Sequence, residues 1–239
     1  MKLFRLLPLS LLCMSSAALA TSTQVYLEQN IASNAADEGT YSTEAGALID
    51  TSEHGQVYIG FDDQGWLAAG YGHYFSLSDD WGLNIYGELG KWETGEEMLI
   101  EAVVDFQATD NLNLFAGYGY NRSGQTLENI SDTHINTNQV MAGVGLDMGN
   151  WALDYTYTHE NRDGSNGGFT HVGEDFYFSQ DSYRTNEHEV ILSTSIDQWT
   201  PYVKYTYFNT QEGELTRDNM PSHIVENDSI WTLGVSYDF

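Results

Sequence analysis

The sequence predicts an all-β chain closed into a transmembrane antiparallel up-and-down β-barrel, most simply of 12 strands. Three observations carry this. Segments of about ten residues alternate apolar and polar side chains with a period of two, the pattern of a strand with one greasy face. The connections between them alternate short and long. The last segment, residues 229–239, sets Trp231, Leu233, Val235, Tyr237 and Phe239 on one face against Thr232, Gly234, Ser236 and Asp238, and no polar tail follows.

Residues 1–20 read as a secretory signal peptide: Lys2 and Arg5, an apolar core LLPLSLLCM, then the small-x-small site Ala18-Leu19-Ala20. Cys13 is the single cysteine, and it leaves with that segment. Ser10-Leu11-Leu12 before it lacks the small residues of a lipid-anchor site, so neither a lipid anchor nor a disulfide is expected. Residues 21–239 then form a single barrel domain. No later window holds about 18 consecutive apolar residues, which excludes a membrane-spanning helix.

Taken in order, segment one is 23–32, with Val25 and Leu27 outward. Segment two is 43–51 (Ala45, Ala47, Ile49), segment three 55–62 (Val57, Ile59, Phe61) and segment four 65–76, where Leu67, Ala69, Tyr71 and Phe75 oppose glycines and His73. Segment five sets Leu83, Ile85 and Leu89 against Asn84, Tyr86 and Glu88; segment six, 98–108, sets Met98, Ile100, Ala102, Val104 and Phe106 against Glu101, Asp105 and Gln107. Segments seven (112–120), eight (137–147), nine (151–159), ten (186–196, outward Val190, Leu192 and Ile196), eleven (200–208) and twelve complete the series. Ten strands remain the alternative, if segments two and three form a plug or a loop.

Connections after segments four, six, eight and ten are short, while 121–136, 160–185 and 209–228 are long and polar. Short periplasmic turns and long extracellular loops are the asymmetry of such barrels, and an even strand number returns both termini to one side. A soluble sandwich or lipocalin-like barrel shares the alternation but accounts for neither the loop asymmetry nor the signal segment.

Composition narrows the function. With the signal segment removed, only Lys91, Arg122, Arg162, Arg184, Lys204 and Arg217 remain basic, against 35 acidic residues. Such a chain offers no basic face to a nucleic acid. An aromatic content of 13% separates it from acidic disordered chains. The polar face of each segment would line the lumen. It places Tyr86, Glu88, Glu101, Asp105, Asp147, Asp154, Glu187, Glu189, Tyr202 and Lys204 inward as candidate pore-lining residues, with Gln139 and Thr156. A 12-strand barrel is wider than side chains alone need fill, so a narrow water-filled channel follows. The alternative is that these carboxylates pair and fill the barrel. Pairing across residues 93–97 would set residue 88 opposite about residue 102.

The ending Tyr237-Asp238-Phe239 resembles the close of Gram-negative outer-membrane proteins. Length, strand number and signal segment resemble the small monomeric porins of the oligogalacturonate-specific type. The resemblance implies an outer-membrane location, passive diffusion of small solutes, no cofactor and no enzymatic activity. It also implies contact with outer-membrane lipid and lipopolysaccharide, and assembly through periplasmic chaperones and the barrel-assembly machinery. That family lines its pore with arginines that guide acidic sugars, whereas the lumen here is acidic and suits cations or neutral saccharides. A non-conducting barrel serving adhesion or envelope integrity is the alternative. Tyr157-Thr158-His159-Glu160-Asn161 also looks like the His-x-Ser stretch of outer-membrane phospholipase A, with Asn161 where the nucleophile belongs. Gly117-Tyr-Gly119 and Gly143-Val-Gly145 lie within strands and open no helix, so they do not bind a dinucleotide. Asp163, Asn166, Glu174 and Asp175 supply oxygen ligands for a divalent cation or else a solvated acidic loop.

Overall fold

A computed structural model describes residues 22–32, 41–92, 95–125, 133–171, 173–211, 214–217, 220–223 and 227–239. The expected signal segment lies outside the described residues. Alternating side chains over segments long enough to cross a bilayer produce strands that pair with their sequence neighbours. These are β1 (Thr23–Ala32), β2 (Tyr41–Asp50), β3 (Gly55–Asp62), β4 (Leu67–Ser76), β5 (Trp81–Trp92), β6 (Gly95–Thr109), β7 (Leu112–Gln125), β8 (Thr133–Asp147) and β9 (Trp151–Arg162). β10 (Ser165–His171), β11 (Glu174–Gln180), β12 (Tyr183–Thr194), β13 (Trp199–Gln211), β14 (Glu214–Arg217), β15 (Met220–His223) and β16 (Asn227–Asp238) complete the chain. Twelve of them, β1 to β9 with β12, β13 and β16, close into an antiparallel barrel with no free edge, the closure that lipid demands. β2 and β3 are full members of the wall, which excludes the ten-strand alternative.

The seam joins the ends of the chain. β1 pairs with β16 from Gln24↔Asp238 to Ala32↔Ile230, and the Phe239 N–H donates to the Thr23 carbonyl at 3.0 Å. The Phe239 ring packs edge-on against Tyr237 at 4.8 Å between centroids, and Tyr237 against Trp199 at 4.7 Å. These aromatics mark one edge of the apolar band, at the end of the barrel that carries the short turns. Trp81 and Phe106, 4.6 Å apart, continue that edge.

The two faces of the wall separate by parity. Leu89 and Leu233 point outward and are 66% and 54% exposed, while Thr232, Gln139 and Glu160 point inward with 0–1% of their surface accessible. His73, expected inward, stands on the outward row: Tyr71 hydrogen-bonds its Nδ1 at 3.1 Å and Phe75 packs on its ring. It shares the odd-numbered parity of both neighbours.

Several strand ends differ from expectation. β6, β7 and β8 run three to five residues further toward the long-loop end, because polar residues such as Asn121 and Ser123 keep the ladder paired where the apolar signal stops. β12 stops at Thr194, leaving Ile196 in the turn, where it pairs with Trp199. Two of the long polar connections, 160–185 and 209–228, carry strands of their own: β10, β11, β14 and β15 form a separate four-stranded sheet at the end opposite the short turns, with β10 lying against β8.

Candidate functional site: the lumen

Lumenal acidity is layered. On β1, Glu28 lies two residues nearer the long-loop end than Tyr26; on β5, Glu88 stands in the same relation to Tyr86, on β6 Glu101 to Val103, on β12 Glu189 to Ile191 and on β13 Lys204 to Tyr202. Because side chains two apart share a face, each pair stacks a charged group on an apolar or aromatic one. Hydrogen bonds lock the layers together. Tyr26 donates to Glu44 at 2.7 Å and shares a 2.9 Å hydroxyl contact with Tyr58; Tyr202 donates to Glu28 at 2.7 Å, and Tyr86 donates to Glu88.

The tyrosines reach these partners because glycines clear the wall beside them. Tyr26 is in register with Gly46 and Tyr202 with Gly234, and a Cβ at Gly46 would lie 2.6 Å from the Tyr26 ring. Gln139 likewise lies over Gly119, which sits between it and Glu101 in the ladder, and its amide donates across the gap to the Glu101 carboxylate. Glu101 Oε2, Gln139 Oε1 and Glu160 Oε1 are buried without a hydrogen-bond partner among the described residues.

The packing is lopsided. Tyr26, Leu48, Tyr58, Ala68, Tyr86, Leu99, Val103, Phe115 and Met141 form one continuous buried cluster inside the barrel, along the arc from β1 to β8. On the other side, inward-facing Asp154 and Thr156 of β9, Glu187 of β12 and Thr206 of β13 are only half-buried. These four are the partly accessible lumenal side chains of β9, β12 and β13, set between buried Thr158, Glu189, Ile191, Tyr202 and Lys204.

Both described lumenal cations are engaged. Lys204 Nζ contacts Glu28 at 3.3 and 3.4 Å, bridging β13 to β1 over β16. Arg162 donates to Glu160 Oε2 through Nε at 3.1 Å and Nη2 at 2.9 Å, and to the Tyr183 hydroxyl through Nη1.

The residues singled out from sequence separate into groups. Tyr86, Glu88, Glu101, Glu189, Tyr202 and Lys204 face inward and are buried, and Asp154 and Glu187 face inward with partial exposure. Asp105 faces inward lower down, 3.5 Å from the Tyr74 hydroxyl, and Asp147 is exposed at the short-turn mouth, where it accepts the Gly149 N–H at 2.7 Å. Glu88 opposes Leu99 and Glu101 opposes Tyr86, a register three residues from expectation, because the strands run on to Trp92 and Gly95 and shorten the connection to residues 93 and 94. Glu28, Glu44, Glu97, Glu160, Tyr26 and Tyr58 also face inward. With Val25 and Leu27 assigned outward, parity alone places Tyr26 and Glu28 inside.

His159, on the outward face, has its Nδ1 2.8 Å from the side-chain oxygen of Asn186, where a lipase-like site needs a hydroxyl. Asn166 pairs with Ser179 while Asp175 pairs with Thr170, so the hairpin register holds these candidate cation ligands about 13 Å apart along the strand. Among the described residues no group of three or more His, Cys, Asp or Glu is placed to hold a metal ion.

No protein-family model matches the sequence, and no curated protein matches it. Solved structures share the layout. The NanC porin superposes with a TM-score of 0.65 at 13% identity, over 89% of this chain and 98% of that one. The KdgM porin in complex with disordered oligogalacturonate gives 0.55 at 9%, over 90% and 99%. At such identities the likeness is one of fold: this chain has the layout of a small outer-membrane porin.

Proposed function

We propose that the chain is a passive diffusion channel of the Gram-negative outer membrane, passing small cations and small neutral solutes in preference to anions. The observation that carries this is the lumenal charge. Carboxylates line it from β1 to β12, and the two described lumenal cations, Lys204 and Arg162, are already held by Glu28 and Glu160. An acidic sugar would meet fixed negative charge without a free guanidinium to receive it. The path runs along β9, β12 and β13, so Asp154 and Glu187, rather than the buried Glu88 and Glu101, meet the permeating solute. In this orientation the short turns are periplasmic and the separate sheet is extracellular.

Single-channel recording in planar bilayers tests the proposal. Under a salt gradient at low ionic strength the reversal potential should report cation selectivity, fading as the Debye length shrinks to about 3 Å at 1 M salt. The double variant Asp154→Asn, Glu187→Gln should move that potential toward zero without loss of the folded barrel, because lumenal substitutions tune selectivity more than stability. Anion selectivity, or a potential the variant leaves unchanged, overturns the assignment. The packed arc from β1 to β8 favours a second reading, a barrel without an open bore; absence of current steps from folded protein would establish it.

A further inference from the structure

The basic residues of this acidic chain are distributed unevenly, and the pattern points to a ligand. Lys204 and Arg162 sit in the lumen with carboxylate partners, and Arg217 lies in β14. The other three, Lys91, Arg122 and Arg184, are exposed on the outer wall and form no ion pair or hydrogen bond among the described residues. In a chain with 35 acidic residues, three cations on one rim without a partner among the described residues call for an explanation.

Their height supplies it. On β7 the outward row runs Tyr118, Tyr120, Arg122, with the Tyr118 hydroxyl bonded to Asn138 at 2.5 Å and that of Tyr120 to Asn136 at 2.7 Å. On β12 it runs Val190, His188, Asn186, Arg184, where Tyr155 meets His188 at 2.9 Å and Tyr157 donates to Asn186 at 2.8 Å. On β5 it runs Ile85, Gly87, Leu89, Lys91. Lys91 and Arg122 are thus one outward-facing position past the apolar or hydrogen-bonded aromatic row that ends the lipid-facing band, and Arg184 is two past His188, beyond the hydrogen-bonded Asn186, all at the extracellular end. No Lys or Arg of residues 21–239 occupies the outer wall at the short-turn end. The carboxylate nearest the group in register is Glu96 of β6, opposite Lys91, and its Oε1 is 4.0 Å from His134 Nε2.

We propose that Lys91, Arg122 and Arg184 bind the phosphate groups of an outer-leaflet phosphoglycolipid. The forked guanidinium matches a phosphate bidentately, and a cation flanked by apolar wall on one side gains most from an anion that is itself anchored in the headgroup layer. Two strand spacings separate β5 from β7, about 10 Å, and three separate β7 from β12, about 14 Å, so phosphates on one bulky headgroup or on neighbouring lipids can reach them. The site rests on the outer-membrane placement and the orientation proposed above, not on conduction.

Native mass spectrometry of the full, detergent-folded barrel tests it, titrated with diphosphorylated lipid A and, separately, with its dephosphorylated form. The wild type should retain the diphosphorylated lipid and bind the dephosphorylated one weakly. The triple variant Lys91→Gln, Arg122→Gln, Arg184→Gln should weaken the former about tenfold or more, as expected for charge-assisted contacts. Arg122→Gln alone should give a smaller loss, and comparing the two lipids on wild-type protein keeps the test decisive if the triple variant does not fold. Equal binding of the two lipids, an unaffected variant, or displacement of the lipid by millimolar inorganic phosphate would each overturn the site. A barrel that shows no current yet discriminates the two lipids would leave this inference standing while the channel reading falls.

Discussion

Along β1 to β8 the lumenal face carries Tyr26, Leu48, Tyr58, Tyr86, Val103, Phe115 and Met141, whereas β9 and β12–β13 present half-buried Asp154, Thr156, Glu187 and Thr206. Both sides obey the same in/out alternation. What differs is volume: on the first side a run of buried apolar and aromatic side chains is continuous from strand to strand, on the second Tyr202 over Gly234 is the aromatic ring among buried lumenal residues, and Asp154, Thr156, Glu187 and Thr206 stay half-buried. A barrel of this strand number can be filled on one side and left passable on the other, so bore is set by which inward positions are large, not by strand count alone.

The two sides are tied together at Lys204, and breaking that tie should give the largest effect. Lys204 and Glu28 have side chains only 8% and 5% exposed, with Thr232 fully covered on the strand between them. Lys204→Met leaves Glu28 buried with Tyr202 as its donor and should cost about 3 kcal/mol, the scale of a broken buried pair. Urea titration of the folded barrel in micelles would measure it. The double variant Lys204→Met, Glu28→Gln should recover most of that loss, since no unpaired charge then remains; a double variant as unstable as the single one would show that Lys204 acts by packing.

The packed side should also be intolerant where a glycine sits under a ring. A Cβ at Gly46 would lie 2.6 Å from both the Ile59 carbonyl oxygen and the Tyr26 ring, and backbone cannot give way. At Gly72, also inward-facing, the nearest atoms are 3.6 Å away, ordinary contact. Gly46→Ala should therefore destabilise by about 1–3 kcal/mol, the range for overpacking, while Gly72→Ala should be neutral or gain up to about 1 kcal/mol through loss of unfolded-chain freedom. The heat-modified mobility shift, followed against temperature, separates them, and equal tolerance would mean that the tyrosine paving is loose.

These contrasts also mark how far the sequence could be read. Strand number, face and connection asymmetry follow from period two and from turn residues, because they are local; Leu83, Ile85 and Leu89 need no partner to declare their side. Level around the barrel is not local. Whether Glu88 meets residue 99 or 102 depends on where β5 and β6 end, and those ends, Trp92 and Gly95, do not extend the outward apolar row that stops at Leu89. The side of His73 is local too, since it shares the parity of Tyr71 and Phe75, but the division of the lumen is not: Tyr58 stacks on Tyr26 at 6.5 Å across an intervening strand, and nothing in either segment announces the other. The rim cations were visible as residues but unreadable as a group until their rows were aligned.

The smallest predicted effect is the most direct probe of the open side. Thr156 is inward-facing and half-buried, opposite Glu189 on β12 and Gly143 on β8, so a large ring there would project into the space that the β1–β8 cluster leaves. Thr156→Trp should lower single-channel current by about half or more, as expected when a lumenal side chain narrows a pore, with little change in reversal potential because Asp154 and Glu187 remain. Tyr58→Phe, on the packed side, removes one hydroxyl and no volume, and the current should stay at the wild-type level. If Tyr58→Phe changes the current and Thr156→Trp does not, ions pass through the tyrosine side, and the division of the lumen is the reverse of the one its burial describes.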